Sequence, residues 1–488
     1  MSDRPHILFL MTDQLRADCL GVAGHPLLRT PNVDALAEQG VRFTSAYTTS
    51  PLCVPARASI TTGLYPHNNN IWQGDQTVPL DADTYLHRLK DVGYRTCSIG
   101  KNHLYPMENC NLFLNHPKYN AIGFDHIEDL SGTWGIIEGE SVYVDYLKSQ
   151  GLHERLANYL KDLEEKPDEV RRFIAEPLPI DAQHYIDAFI GRRVEKYVDE
   201  YDGDKPTFVY AGFQGPHEPW DAPKEYAERY PLSEIPEPIP EKPPGDWLPG
   251  SSLDYQRWAQ YYQPPSERAG KAIVAAYLGK IAMIDESVGR ILAAYERKGW
   301  LENTVVIFST DHGEMLNDLG RVSKSIFYES ATHIPLIVRL PEHSRHQGMR
   351  GTVDDRFVES IDIHATILDV AGATPWDHQD SLSLLSGPER QNVLGEVHAH
   401  YMLRSREWKI VVGRQGETLQ LFDLLEDPQE QVNLCQHPGY REQELHMRSL
   451  LLARITRDTF RDSNIDPELS SHSIEGLTHH SFKQEVAE

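Results

Sequence analysis

His6-Ile7-Leu8-Phe9-Leu10-Met11-Thr12-Asp13-Gln14 is a mostly apolar run that ends in two polar residues. Apolar side chains at successive positions, without polar alternation, predict a strand covered on both faces, as at the centre of a parallel sheet. The pattern recurs. Tyr94 to Ile99 ends in Gly100-Lys101-Asn102-His103, Pro206 to Phe213 runs into Gln214-Gly215-Pro216-His217, and Thr304 to Ser309 into Thr310-Asp311-His312. Val41 to Tyr47 reads as a fifth strand, leading into a loop that carries Cys53, and Pro335 to Leu340 as a further one. Helical patterns lie between them, over Thr30 to Glu38, Leu80 to Val92, Val142 to Glu165, Tyr185 to Tyr201 and Ala269 to Lys298. Arg356 to Ala371 reads as a strand-to-helix unit stopped by Gly372. This alternation predicts an α/β fold with a large, mostly parallel central sheet flanked by helices.

The texture changes after that. Leu403 to Val412 and Thr418 to Leu424 read as antiparallel strands around a Gly-containing turn, and Tyr440 to Arg457 as a helix. They predict a smaller C-terminal α+β subdomain with an antiparallel sheet. We place the boundary near residue 375, giving domains over 1–375 and 376–488. Residues from about 104 to 200 read as an insertion over the sheet edge. A proline-rich stretch at about 235–250 reads as a surface loop or lid, and the polar residues from about 463 as a tail.

Among 488 residues, 47 Lys and Arg face 73 Asp and Glu, a formal charge of −26. That balance argues against a nucleic-acid or anionic-membrane partner. Any site for an anionic substrate must then be locally positive. The five cysteines (Cys19, Cys53, Cys97, Cys110 and Cys435) are scattered and odd in number, which suits a reducing compartment. No apolar stretch has the length of a membrane span, and the first apolar run is too short for a signal-peptide core. The expectation is a cytoplasmic protein, with homo-oligomerisation left open.

In an open parallel sheet, ligands bind outside the carboxyl ends of the strands. Asp13-Gln14, Lys101 with His103, His217 and Asp311-His312 should therefore share one rim. Asp13, Gln14, Asp311 and His312 offer two carboxylates, an amide oxygen and an imidazole, which suit Ca²⁺, Mg²⁺ or Mn²⁺. Lys101, Arg57, Lys324, His103 and His217 add positive charge, as a tetrahedral oxyanion would require. Cys53 sits where Pro55 predicts the first turn of a helix, at the positive end of its dipole. Alone, Cys53-Val54-Pro55-Ala56-Arg57 reads equally well as a buried cysteine at a loop-to-helix junction.

Taken together, these motifs resemble those of the sulfatase family in the alkaline phosphatase superfamily. Cys53-Val54-Pro55-Ala56-Arg57 is similar to the sulfatase signature, in which the cysteine becomes formylglycine. Gly100-Lys101-Asn102-His103-Leu104 resembles the family's Gly-Lys-x-His-Leu, and Pro216-His217-Glu218-Pro219 its Pro-His-x-Pro. Asp311-His312-Gly313-Glu314, Lys324 and Phe327 to Ile337 resemble its metal- and sulfate-binding stretch. Phe422-Asp423-Leu424 with Asp427-Pro428 and Asn433-Leu434 resembles its C-terminal motif.

The resemblance implies hydrolysis of a sulfate ester by a formylglycine gem-diol on one divalent metal, Ca²⁺ first, with Mn²⁺ or Mg²⁺ as alternatives. The metal residues would be Asp13, Gln14, Asp311, His312 and the modified Cys53. Lys101, Lys324 and Arg57 would hold the sulfate oxygens. His217, with Lys324 beside it, would protonate the leaving alcohol, and His103 would take the proton whose loss expels sulfate. A formylglycine-generating enzyme would be a transient partner. Gln14 and His312 depart from the commoner Asp and Asn and resemble choline-sulfatase-like enzymes and phosphonate monoester hydrolases. The latter carry Tyr and Thr where Lys101 and His103 stand, which favours sulfate. A phosphonate monoester or phosphodiester hydrolase is the alternative, and a non-catalytic oxyanion- or sugar-binding relative with unmodified Cys53 a further one. The substrate, a small-molecule or saccharide sulfate ester, is expected to meet His67, Asn68, Trp72, Gln73, Tyr105, Trp220 and Arg321, which neighbour the motifs. These residues read equally as ordinary rim packing.

Overall fold

Along His6–Asp13 (β1), alternate side chains leave on opposite faces, and both faces are covered. Leu8 and Leu10 enter one apolar cluster and Ile7, Phe9 and Met11 the other. The computed structural model describes residues 4–130, 132–171, 173–240 and 266–459. In chain order, β1 is followed by α1 (Pro31–Glu38), β2 (Gly40–Phe43), β3 (Ala46–Tyr47), α2 (Cys53–Thr62) and α3 (Tyr85–Asp91). Next come β4 (Arg95–Gly100), β5 (His126–Asp129), α4 (Val142–Ser149), α5 (His153–Glu164), α6 (Ile186–Glu200) and β6 (Thr207–Pro216). Then follow α7 (Glu267–Arg297), β7 (Thr304–Thr310), β8 (Leu336–Arg339), β9 (Thr352–Asp354), β10 (Val358–Glu359) and α8 (Asp362–Ala371).

The main sheet has eight strands in the order β5-β4-β6-β1-β7-β8-β2-β9. Only β8 runs against its neighbours; every other pairing is parallel. Helices α1, α6 and α7 cover one face, and α3 and α8 the other. The strands β11 (Val393–Val397), β12 (His400–Arg404), β13 (Trp408–Val412) and β14 (Thr418–Asp423) form a separate antiparallel sheet. Helix α9 (Arg441–Thr459) packs on it through Met447 and Leu451. The α/β class and the C-terminal antiparallel sheet are as expected from the sequence.

Local expectations change in five places. Val41 to Tyr47 is two strands, not one. Thr44 N–H donates to the Asp354 carbonyl at 2.9 Å, Val358 N–H donates to the Ser45 carbonyl at 3.1 Å, and β3 pairs with β10 in its own ribbon. The Cys53 loop therefore follows this ribbon and not a strand of the main sheet. Gly151, at φ +69°, divides Val142 to Glu165 into α4 and α5. The helix expected from Leu80 begins only at Tyr85, because Thr84 is extended and its hydroxyl donates to the Ile122 carbonyl at 2.8 Å. Leu403 to Val412 contains a turn, closed by Ser405 N–H donating to the Trp408 carbonyl at 2.8 Å. The segment 104–200 does more than lie over the sheet edge, since it supplies the edge strand β5 and the packed helix α6. Residues 241–250 of the proline-rich stretch, and the tail, lie outside the described residues. Among the described residues, no helix is long and apolar enough to cross a membrane.

The C-terminal sheet is joined to the main body by buried charge. Arg454 of α9 donates to the Tyr65 hydroxyl at 2.5 Å and pairs with Glu359 of β10 at 3.2 Å. Arg390 pairs with the same Glu359 at 3.1 Å and also with Asp362. Removing Arg454 leaves Glu359 with Arg390 alone and takes the donor from the Tyr65 hydroxyl, so a buried ion cluster is only partly compensated. Arg454→Ala is expected to destabilise the protein by about 3–5 kcal/mol, read as a lowered urea midpoint.

Candidate active site

The strands β4, β6, β1 and β7 are adjacent and parallel, so their carboxyl ends form one continuous rim. Asp13 ends β1, Asp311 and His312 follow β7, Lys101 and His103 follow β4, and His217 follows β6. Cys53 is the first residue of α2, whose ten residues are all buried, and Pro55 lies in the first turn. Gly63 at φ +73° closes the helix.

Here the predicted groups meet. Cys53 Sγ lies 3.2 Å from His312 Nε2 and 3.8 Å from Asp13 Oδ1. Lys101 Nζ is 2.6 Å from Asp13 Oδ2, and His217 Nε2 is 4.0 Å from Asp13 Oδ1. Ser325 N–H donates to the Pro51 carbonyl at 2.8 Å, drawing the Lys324 loop onto the Cys53 loop. Arg57 departs from its expected part. Its Nε donates to Asp311 at 2.8 Å, Nη2 to Asp13 at 3.0 Å, and Nη1 to the Lys101 carbonyl and the Tyr210 hydroxyl, both at 2.8 Å. With each nitrogen committed to the protein, Arg57 organises the carboxylates.

At the centre of the site, nearby cations outweigh the effect of burial. Burial alone would raise the Asp13 pKa, but Lys101, His217, Arg57 and Lys324 hold it well below the ordinary range. Burial and Asp13 push the Cys53 thiol up, yet Lys324, His312 and His103 outweigh them and bring it well below its usual value. Burial would lower His312, whereas Asp311 and Cys53 raise it to about 9. Burial lowers His103, which stands at φ +61° with Nδ1 buried and without a hydrogen-bond partner among the described residues.

Gln14 lies at the flank. Its Nε2 donates to Glu218 at 2.8 Å and to Glu314, and its Oε1 accepts from Lys324. Glu218 and Glu314 had appeared in the sequence only as members of their motifs. Burial would raise Glu218, but His217 and Lys324 lower it to about 2. Burial, with Glu218 adding to it, raises Glu314. Two carboxylates on one amide nitrogen give a physical reason for an amide at position 14, where a third carboxylate would be repelled. The available signal was position: Glu218 follows His217 directly, and Glu314 lies three residues beyond Asp311.

The expected substrate residues are less gathered. His67 Nδ1 pairs with Glu396 of β11 at 2.5 Å, and its ring stacks on Tyr65. Asn68 donates to Asp380 at 2.9 Å. Trp220 is a core residue against Tyr277, and Arg321 donates to the Leu319 carbonyl at 2.6 Å. Tyr105 is buried edge-on to Tyr119. Trp72 meets Tyr401 of β12 edge-on, and Gln73 is exposed.

The donor atoms of Asp13, Cys53, Asp311 and His312 all lie within 4.8 Å of one another, and all four residues are buried. Asp13 gives Oδ2 to Arg57 and Lys101, and its Oδ1 faces Cys53. Two carboxylates and an imidazole fit a divalent cation, the more so if an oxygen replaces the Cys53 sulfur.

The sulfatase family model matches residues 5–373, and that for the C-terminal part of N-sulphoglucosamine sulphohydrolase matches residues 318–457. An arylsulfatase of Clostridium perfringens is 30% identical over 471 residues, covering 93% of this chain and 94% of that protein. An N-acetylglucosamine-6-O-sulfatase of Bacteroides thetaiotaomicron is 24% identical over 540 residues, covering 95% and 88%. Among solved structures, a phosphonate monoester hydrolase of Agrobacterium radiobacter aligns with a TM-score of 0.78 at 25% identity, covering 93% of this chain and 96% of that one.

Gln14→Glu keeps the shape of the side chain but sets a third carboxylate against Glu218 and Glu314. It is expected to cost about 1–3 kcal/mol at pH 8, with a smaller loss at pH 5, where a shared proton restores a donor. Calorimetric melting of the metal-free protein at both pH values measures this.

Proposed function

The chain belongs to the sulfatase family, and from that premise we propose how it hydrolyses a sulfate ester to an alcohol and inorganic sulfate. The observation that carries the reading is the meeting of Cys53, Asp13, Asp311 and His312 inside a ring of Lys101, His103, His217 and Lys324. Cys53 is read as the precursor of formylglycine, whose hydrate has a second hydroxyl that a thiol lacks. A divalent metal held by Asp13, Asp311, His312 and residue 53, with Gln14 beside them, would act as a Lewis acid on bound oxygen. Calcium is the ion we favour for an oxygen-rich set, with Mn²⁺ and Mg²⁺ as alternatives.

The residues of the chain divide the remaining work. Lys101 and Lys324 bind the ester's terminal oxygens and oppose the charge that develops on them. Arg57 holds Asp13 and Asp311 from behind. His217 Nδ1 donates to the Glu218 carbonyl at 2.6 Å, so Nε2 is the atom left to give a proton to the leaving alcohol. His103 takes up a proton at residue 53. Trp72, Gln73 and Tyr105 are proposed at the alcohol side, where the N-acetylglucosamine-6-O-sulfatase relative makes a saccharide a reasonable partner. We assign the core of this activity to residues 1–375.

The likeness to a phosphonate monoester hydrolase supports a second reading, with phosphonate monoesters or phosphodiesters as substrates. Paired aryl sulfates and aryl phosphonates distinguish the two: kcat/KM is expected to be higher on sulfate, and a higher value on phosphonate overturns the preference. Cys53→Ala is expected to lose at least about a thousandfold in kcat. Mass analysis of the Cys53 peptide from the native host is expected to show an aldehyde at that position, with sulfur replaced by oxygen and a pair of hydrogens lost. An unmodified cysteine there would favour a non-catalytic, oxyanion-binding relative.

A further inference from the structure

Lys280 lies midway along α7 and is fully buried. A lysine among Ile273, Tyr277, Ile284 and Ile291 is costly unless its ammonium is satisfied. Its Nζ donates to the His217 carbonyl at 2.7 Å, the Pro219 carbonyl at 3.0 Å and Asp221 Oδ1 at 2.9 Å. That accounts for all three ammonium protons. Asp221 is itself held by the Tyr185 hydroxyl at 2.6 Å. The carbonyl between the two, that of Glu218, accepts from His217 Nδ1. Three successive carbonyls are thus fixed, the outer two by Lys280 and the middle one by the imidazole.

The approach to this loop is fixed as well. Asp187 Oδ1 accepts from Gln214 N–H at 2.7 Å and Gly215 N–H at 3.1 Å. A Cβ on Gly215 would lie 2.8 Å from Asp187 Oδ2 and 3.4 Å from Lys280 Cε, so the backbone lies directly on the charged cluster. We propose that Lys280 is a positioning residue, which holds the 217–219 loop so that His217 Nε2 faces the reacting centre. The inference rests on the reading of His217 as proton donor to the leaving alcohol, and the test separates the two.

The experiment measures kcat/KM of the metal-loaded enzyme over aryl sulfates, from nitrophenyl, whose alcohol leaves without a proton, to unsubstituted phenyl. Wild type, His217→Ala and Lys280→Met are compared. Loss of a proton donor steepens the dependence on leaving-group acidity. Lys280→Met is expected to follow His217→Ala, losing about tenfold or more beyond its nitrophenyl loss on the phenyl ester, mainly in kcat. An equal loss across the series in Lys280→Met, with a steep series in His217→Ala, overturns the role of Lys280. A His217→Ala series parallel to wild type overturns the reading of His217 itself. Lys280→Gln, which keeps two amide protons for the carbonyls, is read by the same criterion if Lys280→Met fails to fold, and is expected to show a shallower effect.

Discussion

One guanidinium ties the active rim together. Arg57 reaches Asp13 at the end of β1, Asp311 beyond β7, the Lys101 carbonyl beyond β4 and Tyr210 on β6. Those are four neighbouring strands of the sheet. Arg57 stands one turn after Cys53 on α2, so the same ion fixes the start of that helix above the strand ends. A planar fork with several donors can do this, whereas a lysine offers a single point of charge. Burying the cation is tolerable because two carboxylates meet it. The cost of the pairing is reduced charge on the oxygens that face Arg57. Asp13 Oδ1 is then left toward Cys53, while Asp311 Oδ1 accepts from Gln14 N–H at 3.0 Å and His312 N–H at 2.9 Å.

The second layer of charge explains a choice at position 14. Glu218 and Glu314 both accept from the Gln14 amide nitrogen, which leaves its oxygen for Lys324. The amide orientation thereby matches the charges of its neighbours. A carboxylate at 14 would add a third acid to the buried Glu314 and the half-buried Glu218. The departure from a commoner Asp is thus linked to Glu218 and Glu314, and the three positions are expected to vary together.

Much of the rim was legible because chemistry at parallel strand ends is placed by topology alone. Asp13, Lys101, His217 and Asp311 each follow an apolar run, and four such runs in one sheet put their ends together. The break of Val41 to Tyr47 was not legible, since the hydrogen bonds that divide it come from Asp354 and Val358, far along the chain. The division of labour among cations was hidden for a similar reason: the Arg57 contacts lie in four separate segments. Lys280 did leave a trace. It stands three residues after Tyr277 and four before Ile284, on the buried stripe of α7. A lysine in that register is a buried charge in search of partners, but the partners come from a loop some sixty residues earlier.

The choice between sulfate and phosphonate turns on the fourth substituent of the tetrahedral centre. A sulfate monoester presents three equivalent terminal oxygens, and a phosphonate monoester presents two oxygens and a carbon. Lys101 and Lys324 approach the Cys53 cluster from different segments, Lys101 through Asp13 and Lys324 through Gln14. The two lysines thus set donors on different sides of the cluster, with His103 beside the thiol in its proton-accepting role. A carbon substituent facing any of these would strand a buried donor, which costs more than the hydrogen bond itself contributes. Lys101 and Lys324 therefore match a substrate that turns an acceptor toward each of them. The formal charge of −26 sharpens the same point. Against that background, locally positive groups are what can draw an anion to the site.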